Sequence, residues 1–167
     1  MKNLKKDNKG FTIIEVLIVL AIAGLIMLIV FLAVPALQRN ARNTGKRSDV
    51  SKALGAVGEY SSNNGGAVPV TGAATITALS SLANLSSNTT INATIPTTPG
   101  SVVVPAISEI EIGTGLVCDT AAVHVTSAAP LLADYVQEVK AGPSRSVVAI
   151  YTVESSGGKN TTQCTAS

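Results

Sequence analysis

Hydrophobic positions are distributed very unevenly along this chain. From Val16 to Leu37, 22 consecutive residues carry no formal charge and are mostly Ile, Leu and Val. The stretch is apolar on every side rather than along one stripe, and it meets the roughly 20-residue length of a membrane-spanning helix. The pattern therefore predicts a helix that enters a membrane at some stage. Beyond Leu37 the period changes. Val50, Leu54, Val57 and Tyr60 or Ser61 recur at three-to-four spacing on one face, as expected of a helix packed against a folded domain. A single helix from Phe11 to about Ser61 is on the order of 75 Å long at 1.5 Å per residue. Pro35 removes a backbone donor, and Gly24 and Gly45 weaken the helix locally, so these are candidate bends. The polar run from Glu59 to Asn64, followed by Gly65-Gly66, is a stop signal.

The rest of the chain reads as one small domain. Residues Ala67 to Gly100 are rich in Ser, Thr, Asn and Ala, with a short helix predicted around Ile76, Leu79, Leu82 and Leu85. Strands are predicted at Ile107–Ile112, Ala122–Thr126 and Val147–Val153, where β-branched or alternating residues dominate. Pro130 to Lys140 reads as a helix, with Leu131, Leu132, Tyr135, Val136 and Val139 on one face. Gly157-Gly158 suggests a turn into a last strand bearing Cys164. The expected fold is α+β, a small antiparallel sheet laid on the long N-terminal helix, without internal repeats or a second domain.

Charge and cysteine content sharpen this picture. Lys2, Lys5, Lys6 and Lys9 against Asp7 put +3 into the first ten residues of a chain whose total is +2, so the remainder is −1. No nucleic-acid surface follows from that balance. The flanks of the apolar run do not decide its orientation, because Arg39, Arg42, Lys46 and Arg47 follow it as the lysines precede it; this second cluster reads as a solvated or lipid-facing collar. Cys118 and Cys164 lie far apart and lack metal-ligand spacing. One disulfide in an oxidising compartment is the natural reading, against two buried, unpaired thiols in a reducing one. Ala21-Ile22-Ala23 before Gly24 resembles the cleavage site of a conventional secretory signal, but Glu15 lies inside the supposed apolar core and the run continues well past Gly24. No cysteine is present there for a lipoprotein anchor.

The decisive residues are Lys9-Gly10-Phe11-Thr12-Ile13-Ile14-Glu15, directly before Val16-Leu17-Ile18-Val19-Leu20. This constellation resembles the prepilin signal of the type IV pilin and pseudopilin superfamily, over about residues 1 to 40. The resemblance implies a leader at residues 1–10 and a membrane and filament-core helix at 11–37. A continuation at 38–61 would pack on a head domain at 62–167. It implies that a dedicated membrane peptidase cuts between Gly10 and Phe11 on the cytoplasmic side and methylates the new amine of Phe11. It further implies that Glu15 of one subunit meets the Phe11 amine of a neighbour and sets register in a helical homopolymer. The membrane before assembly and a pilus or secretion platform are the other implied partners. The head would lie outside the inner or cytoplasmic membrane, and then in a cell-surface or periplasmic filament. Major pilins commonly carry a helix-breaking proline about a turn earlier, where this chain has Leu32. Glu15 stands out on physical grounds too, because an ionisable group inside an apolar helix is costly and is a functional candidate by default; the plainer alternative is a residue reaching back to the headgroups.

Little else in the sequence carries chemistry. His124 is the only histidine and has no acidic or cysteine partner at ligand spacing, so no catalytic constellation and no cofactor or metal site is expected. Glu109 and Glu111 share one face of a predicted strand, where a solvated face is expected and two carboxylates are too few for a calcium site. Five scattered aromatic residues do not make a stacking platform for single strands. Asn84, Asn88, Asn92 and Asn160 begin glycosylation sequons, which a chain rich in Ser, Thr and Asn contains by chance. Two classes remain: a structural filament subunit, serving adhesion, motility, DNA uptake or secretion, and a membrane-anchored enzyme or receptor ectodomain. The lack of catalytic residues favours the first.

Overall fold

The computed structural model describes residues 10–70, 72–92, 105–124, 135–155 and 160–167. The chain divides into two units, the first ending at Gln38 and the second running from Arg39 to Ser167. Helix α1 (Ile13–Asn63) contributes to both. In the first unit every residue from Phe11 to Leu37 is exposed, and this stretch is apolar and long enough to cross a membrane. An all-round apolar helix with no protein against it needs lipid or other helices to cover it. Pro35 lies within α1, which is continuous through it.

In the second unit α1 is one-faced. Val50, Ala53, Ala56 and Val57 are buried, and Leu54 and Tyr60 pack partly against the same core. The two alanines matter as much as the valines, because small side chains let a sheet approach the helix axis. The helix closes where the glycines predict: Gly65 and Gly66 have φ of 64° and 86°, which glycine adopts without steric cost. The Gly66 N–H reaches back to the Ser61 carbonyl at 2.7 Å, satisfying one of the last free carbonyls.

The short helix α2 (Ala73–Ala83) follows and buries Leu79 and Ala83. The strands are β1 (Thr90–Asn92), β2 (Glu109–Thr114), β3 (Leu116–His124), β4 (Tyr135–Ala141), β5 (Val147–Glu154) and β6 (Asn160–Ala166). They form one sheet in the order β1-β2-β5-β6-β4-β3. The sheet is mixed: β1 with β2 and β4 with β6 are parallel pairs, and the others are antiparallel. Strand β5 organises it through strict alternation. Val147, Ala149, Tyr151 and Val153 join the core shared with α1 and α2, whereas Val148 and Ile150 join Leu116, Val139 and the two cysteines in a second cluster.

Three expectations need correction. Residues 135–141, expected to end a helix, form strand β4; residues 130–134 lie outside the described residues. The apolar spacing at 135, 136 and 139 suits a helix, yet the backbone of β4 is engaged by β3 along most of its length. Val139 is buried beside the exposed Lys140, the two-residue period of a strand. Glu111 is not solvated: it is 8% exposed. The basic cluster is not a uniform solvated collar either, because Lys46 is buried and Arg39 and Arg42 bond to the end of β5. The strand expected at 107–112 runs two residues later, and the one expected at 122–126 begins earlier, with 125–126 outside the described residues. The Gly157-Gly158 turn likewise lies outside them.

Candidate functional site: the N-terminal signal

Gly10 and Phe11 precede the helix in exposed, non-helical backbone, and Phe11 is 89% exposed. A Cβ added to Gly10 would meet nothing within 4 Å, so the fold itself does not require glycine there. The peptide bond between the two residues is therefore open to an external protein.

Helix α1 starts immediately afterwards, and its start is fixed by a capping box. The Glu15 carboxylate oxygen Oε2 accepts from the Thr12 N–H at 2.8 Å and the Thr12 hydroxyl at 2.7 Å. The Glu15 N–H donates in turn to Thr12 Oγ1 at 3.4 Å. Such a reciprocal arrangement satisfies backbone donors that a helix start leaves free, and the negative charge suits the positive end of the helix dipole. The Thr12-x-x-Glu15 spacing carried this signal in the sequence, but only the charge of Glu15 was singled out there. Both bonds to the carboxylate fall on Oε2, so among the described residues Oε1 has no donor. Within one chain, Glu15 faces Thr12 rather than Phe11.

The match to known proteins lies at this end of the chain. A family model described as the prokaryotic N-terminal methylation motif matches residues 5–31. The chain carries a type IV prepilin-type signal. No curated protein and no solved structure matches the chain. The prepilin-type signal points to a structural subunit and implies processing by a prepilin peptidase and pilus-type assembly. Together with the apolar stretch of α1 it fits membrane anchoring. Among the described residues no group of three or more His, Cys, Asp or Glu side chains is placed to hold a metal ion. His124 ends β3.

Downstream of the prepilin-type signal, the second unit is held by covalent and polar ties. Cys118 on β3 and Cys164 on β6 are joined by a disulfide across 46 residues of sequence. The two strands are not hydrogen-bonded neighbours, since β4 lies between them. β3 is one edge of the sheet, so the bridge ties an edge strand to β6. At the other side, Arg42 forks onto Glu154 with two 2.6 Å bonds. Asn43 donates to the Glu154 carbonyl at 2.7 Å and accepts from its N–H at 2.9 Å. Arg39 reaches the Ser155 carbonyl at 3.0 Å. The Arg42 hydrogen bonds hold the Glu154 carboxyl below its ordinary range and raise the Arg42 guanidinium. Burial opposes the charge of Asp49, but hydrogen bonds from Ser86 and Thr89, and then Lys52, bring its carboxyl below the ordinary value.

Two buried ionisable groups lack such compensation. Lys46 Nζ and Glu111 Oε2 have no hydrogen-bond partner among the described residues. Burial lowers the Lys46 ammonium, against the attraction of Asp49 and Glu109. Burial, reinforced by the nearby charge of Glu109, raises the Glu111 carboxyl to about 7.

Proposed function

We propose that this chain is the precursor of a structural subunit of a type IV pilus-like filament, cut between Gly10 and Phe11 and methylated on the Phe11 amine. The observation that carries the reading is the prepilin-type signal over residues 5–31 set on an exposed, non-helical Gly10–Phe11 bond directly before an uncovered apolar helix. Residues 1–10 are then the leader, 11–37 the membrane and filament-core segment, 38–61 the helix continuation that packs on the head, and 62–167 the head.

The chemistry of assembly follows from what the helix offers. Moving the apolar stretch from lipid into a bundle of like helices exchanges one apolar environment for another, so little hydrophobic energy separates the two. Packing and polar pairing must select the neighbour. Processing creates a cationic amine at Phe11, four residues before the only carboxylate in this stretch of the chain. Glu15 keeps Oε2 on its own capping box and offers Oε1 to the amine of the next subunit. An unpaired charge buried among apolar helices is strongly disfavoured, so this contact penalises every other axial register. Cutting and capping thus cooperate: the same short segment supplies the new amine, the ordered helix start and the oriented acid.

Electron microscopy of sheared cell-surface material tests the reading. Native cells should yield thin filaments whose main band is this protein. Glu15→Ala should leave the chain inserted and processed but deplete the filaments. Abundant filaments of the Glu15→Ala protein would refute the role of the carboxylate, and the absence of this protein from any filament would refute the reading itself.

A further inference from the structure

Within the second unit a cleft of about 230 Å³ lies between α1, the segment that follows α2 and the end of β5. Arg42, Lys46, Asp49, Asn88, Ile107 and Glu154 are among the residues that line it. Its volume is below the roughly 300 to 1,000 Å³ of pockets that hold drug-sized ligands, so an occupant must be small.

The acids and the donors on its walls differ in how far their bonding capacity is already used. Both Glu154 carboxylate oxygens accept from Arg42. Asp49 accepts from Lys52 and from both the N–H and the hydroxyl of Ser86. The carboxylates are thus satisfied from within the chain, whereas the donors are not. Lys46 is 8% exposed, and its Nζ is sealed from solvent with no hydrogen-bond partner among the described residues. Asp49 and Glu109 attract that ammonium without bonding to it. Arg42 spends Nε and Nη2 on Glu154 and keeps Nη1. Asn88, exposed at the rim, keeps its side-chain amide without a partner among the described residues. A buried, unpaired cation is strongly disfavoured, and a methionine at this position of α1 would fill similar space without that cost. The stability of the fold therefore does not call for the charge of Lys46.

We infer that this cleft is a binding site for a small organic carboxylate, whose oxygens accept from Lys46 Nζ and from the free donors of Arg42 and Asn88 while its hydrocarbon part lies against Ile107. The ligand is an acceptor because the uncommitted groups are donors, and a lysine ammonium can only donate. It carries a single negative charge because Glu154 already neutralises Arg42, leaving Lys46 as the uncompensated cation on these walls; a dianion would set its second charge against Asp49 and Glu154. It has an apolar part because Ile107, 47% exposed, offers an apolar wall. The flexible four-carbon stem of Lys46 lets the ammonium turn from its sealed position towards the ligand. The inference is independent of the filament reading, since it rests on the cleft alone.

Titration of sodium butyrate into the full chain in nonionic detergent, followed by calorimetry and by the thermal midpoint, tests this. The native chain should bind butyrate saturably at one site, and its midpoint should rise with butyrate concentration, as for any ligand that binds only the folded state. Butyramide, which has the same shape without the charge, should bind about tenfold more weakly, as expected when a hydrogen bond to a charged group is lost. Inorganic phosphate should also bind more weakly than butyrate. Lys46→Met should raise the midpoint of the unliganded chain and abolish its response to butyrate, a combination that a purely structural lysine does not produce. Asn88→Ala, at the exposed rim, should weaken butyrate binding by about fivefold. The comparison of butyrate with butyramide on the native chain decides the matter even where Lys46→Met fails to fold. No saturable binding by the native chain, butyramide as good as butyrate, phosphate tighter than butyrate, or undiminished binding by Lys46→Met would each overturn the inference.

Discussion

Glu111 gives the head a specific and unusual pH dependence. It is 8% exposed, stands in register with Asn92 on β1 and Ile150 on β5, and has one carboxylate oxygen without a partner among the described residues. A carboxyl raised from 4.5 to about 7 holds more protons in the folded than in the unfolded chain between those two values. Stability therefore falls as pH rises through that interval, the reverse of a salt-bridged carboxylate. At about 1.4 kcal/mol per pKa unit, full ionisation costs about 3 kcal/mol, a large share of the margin of a small domain. Glu111→Gln keeps the shape and removes the charge. Chemical denaturation of the full chain in detergent, followed by tyrosine fluorescence from pH 5 to 9, should show native and variant nearly equal at pH 5. Near pH 8 the variant should be about 3 kcal/mol more stable. Parallel stability curves for the two proteins across that range would refute the reasoning.

Other perturbations test separate parts of the account. Replacing Cys118 and Cys164 together by Ser should cost roughly 4 kcal/mol in the chain-entropy view of a 46-residue loop, and an unchanged denaturation midpoint would contradict it. Asn43→Ala strips two bonds from the Glu154 backbone and should destabilise the head by about 1 to 2 kcal/mol, measured by the same denaturation. Gly10→Leu should leave the leader attached and the chain in the membrane, since the peptidase must approach backbone that only glycine leaves bare; a normally shortened band on a gel would exclude that.

Much of this architecture was legible because it depends on local patterns. The apolar stretch and the stripe at Val50, Leu54 and Val57 are periodic enough to place both halves of α1, and Val147–Val153 reads as a strand because its β-branched residues are buried on both faces of the sheet. Strand β4 was misread because three apolar positions satisfy either period, and what decides between them is the neighbouring β3, which no local pattern contains. Strand β1 was missed for a similar reason: Thr90-Ile91-Asn92 is three residues long and exists through its pairing with β2. Glu111 looked solvated because alternation places it opposite Ile110 and Ile112, and the second cluster on that face of the sheet is not visible locally. At the N-terminus the sequence carried the signal in full, including the Thr12–Glu15 spacing of the capping box. The intramolecular use of Glu15 emerged only with its bonds.

The central claim is that this chain is a prepilin whose mature form starts at Phe11. Mass spectrometry of the N-terminal peptide of the protein recovered from sheared filaments tests it most directly. The account predicts a peptide that starts at Phe11 and carries one methyl group on its α-amine. A mature N-terminus at Gly24, or a leader still attached at Gly10 in assembled filaments, would contradict it.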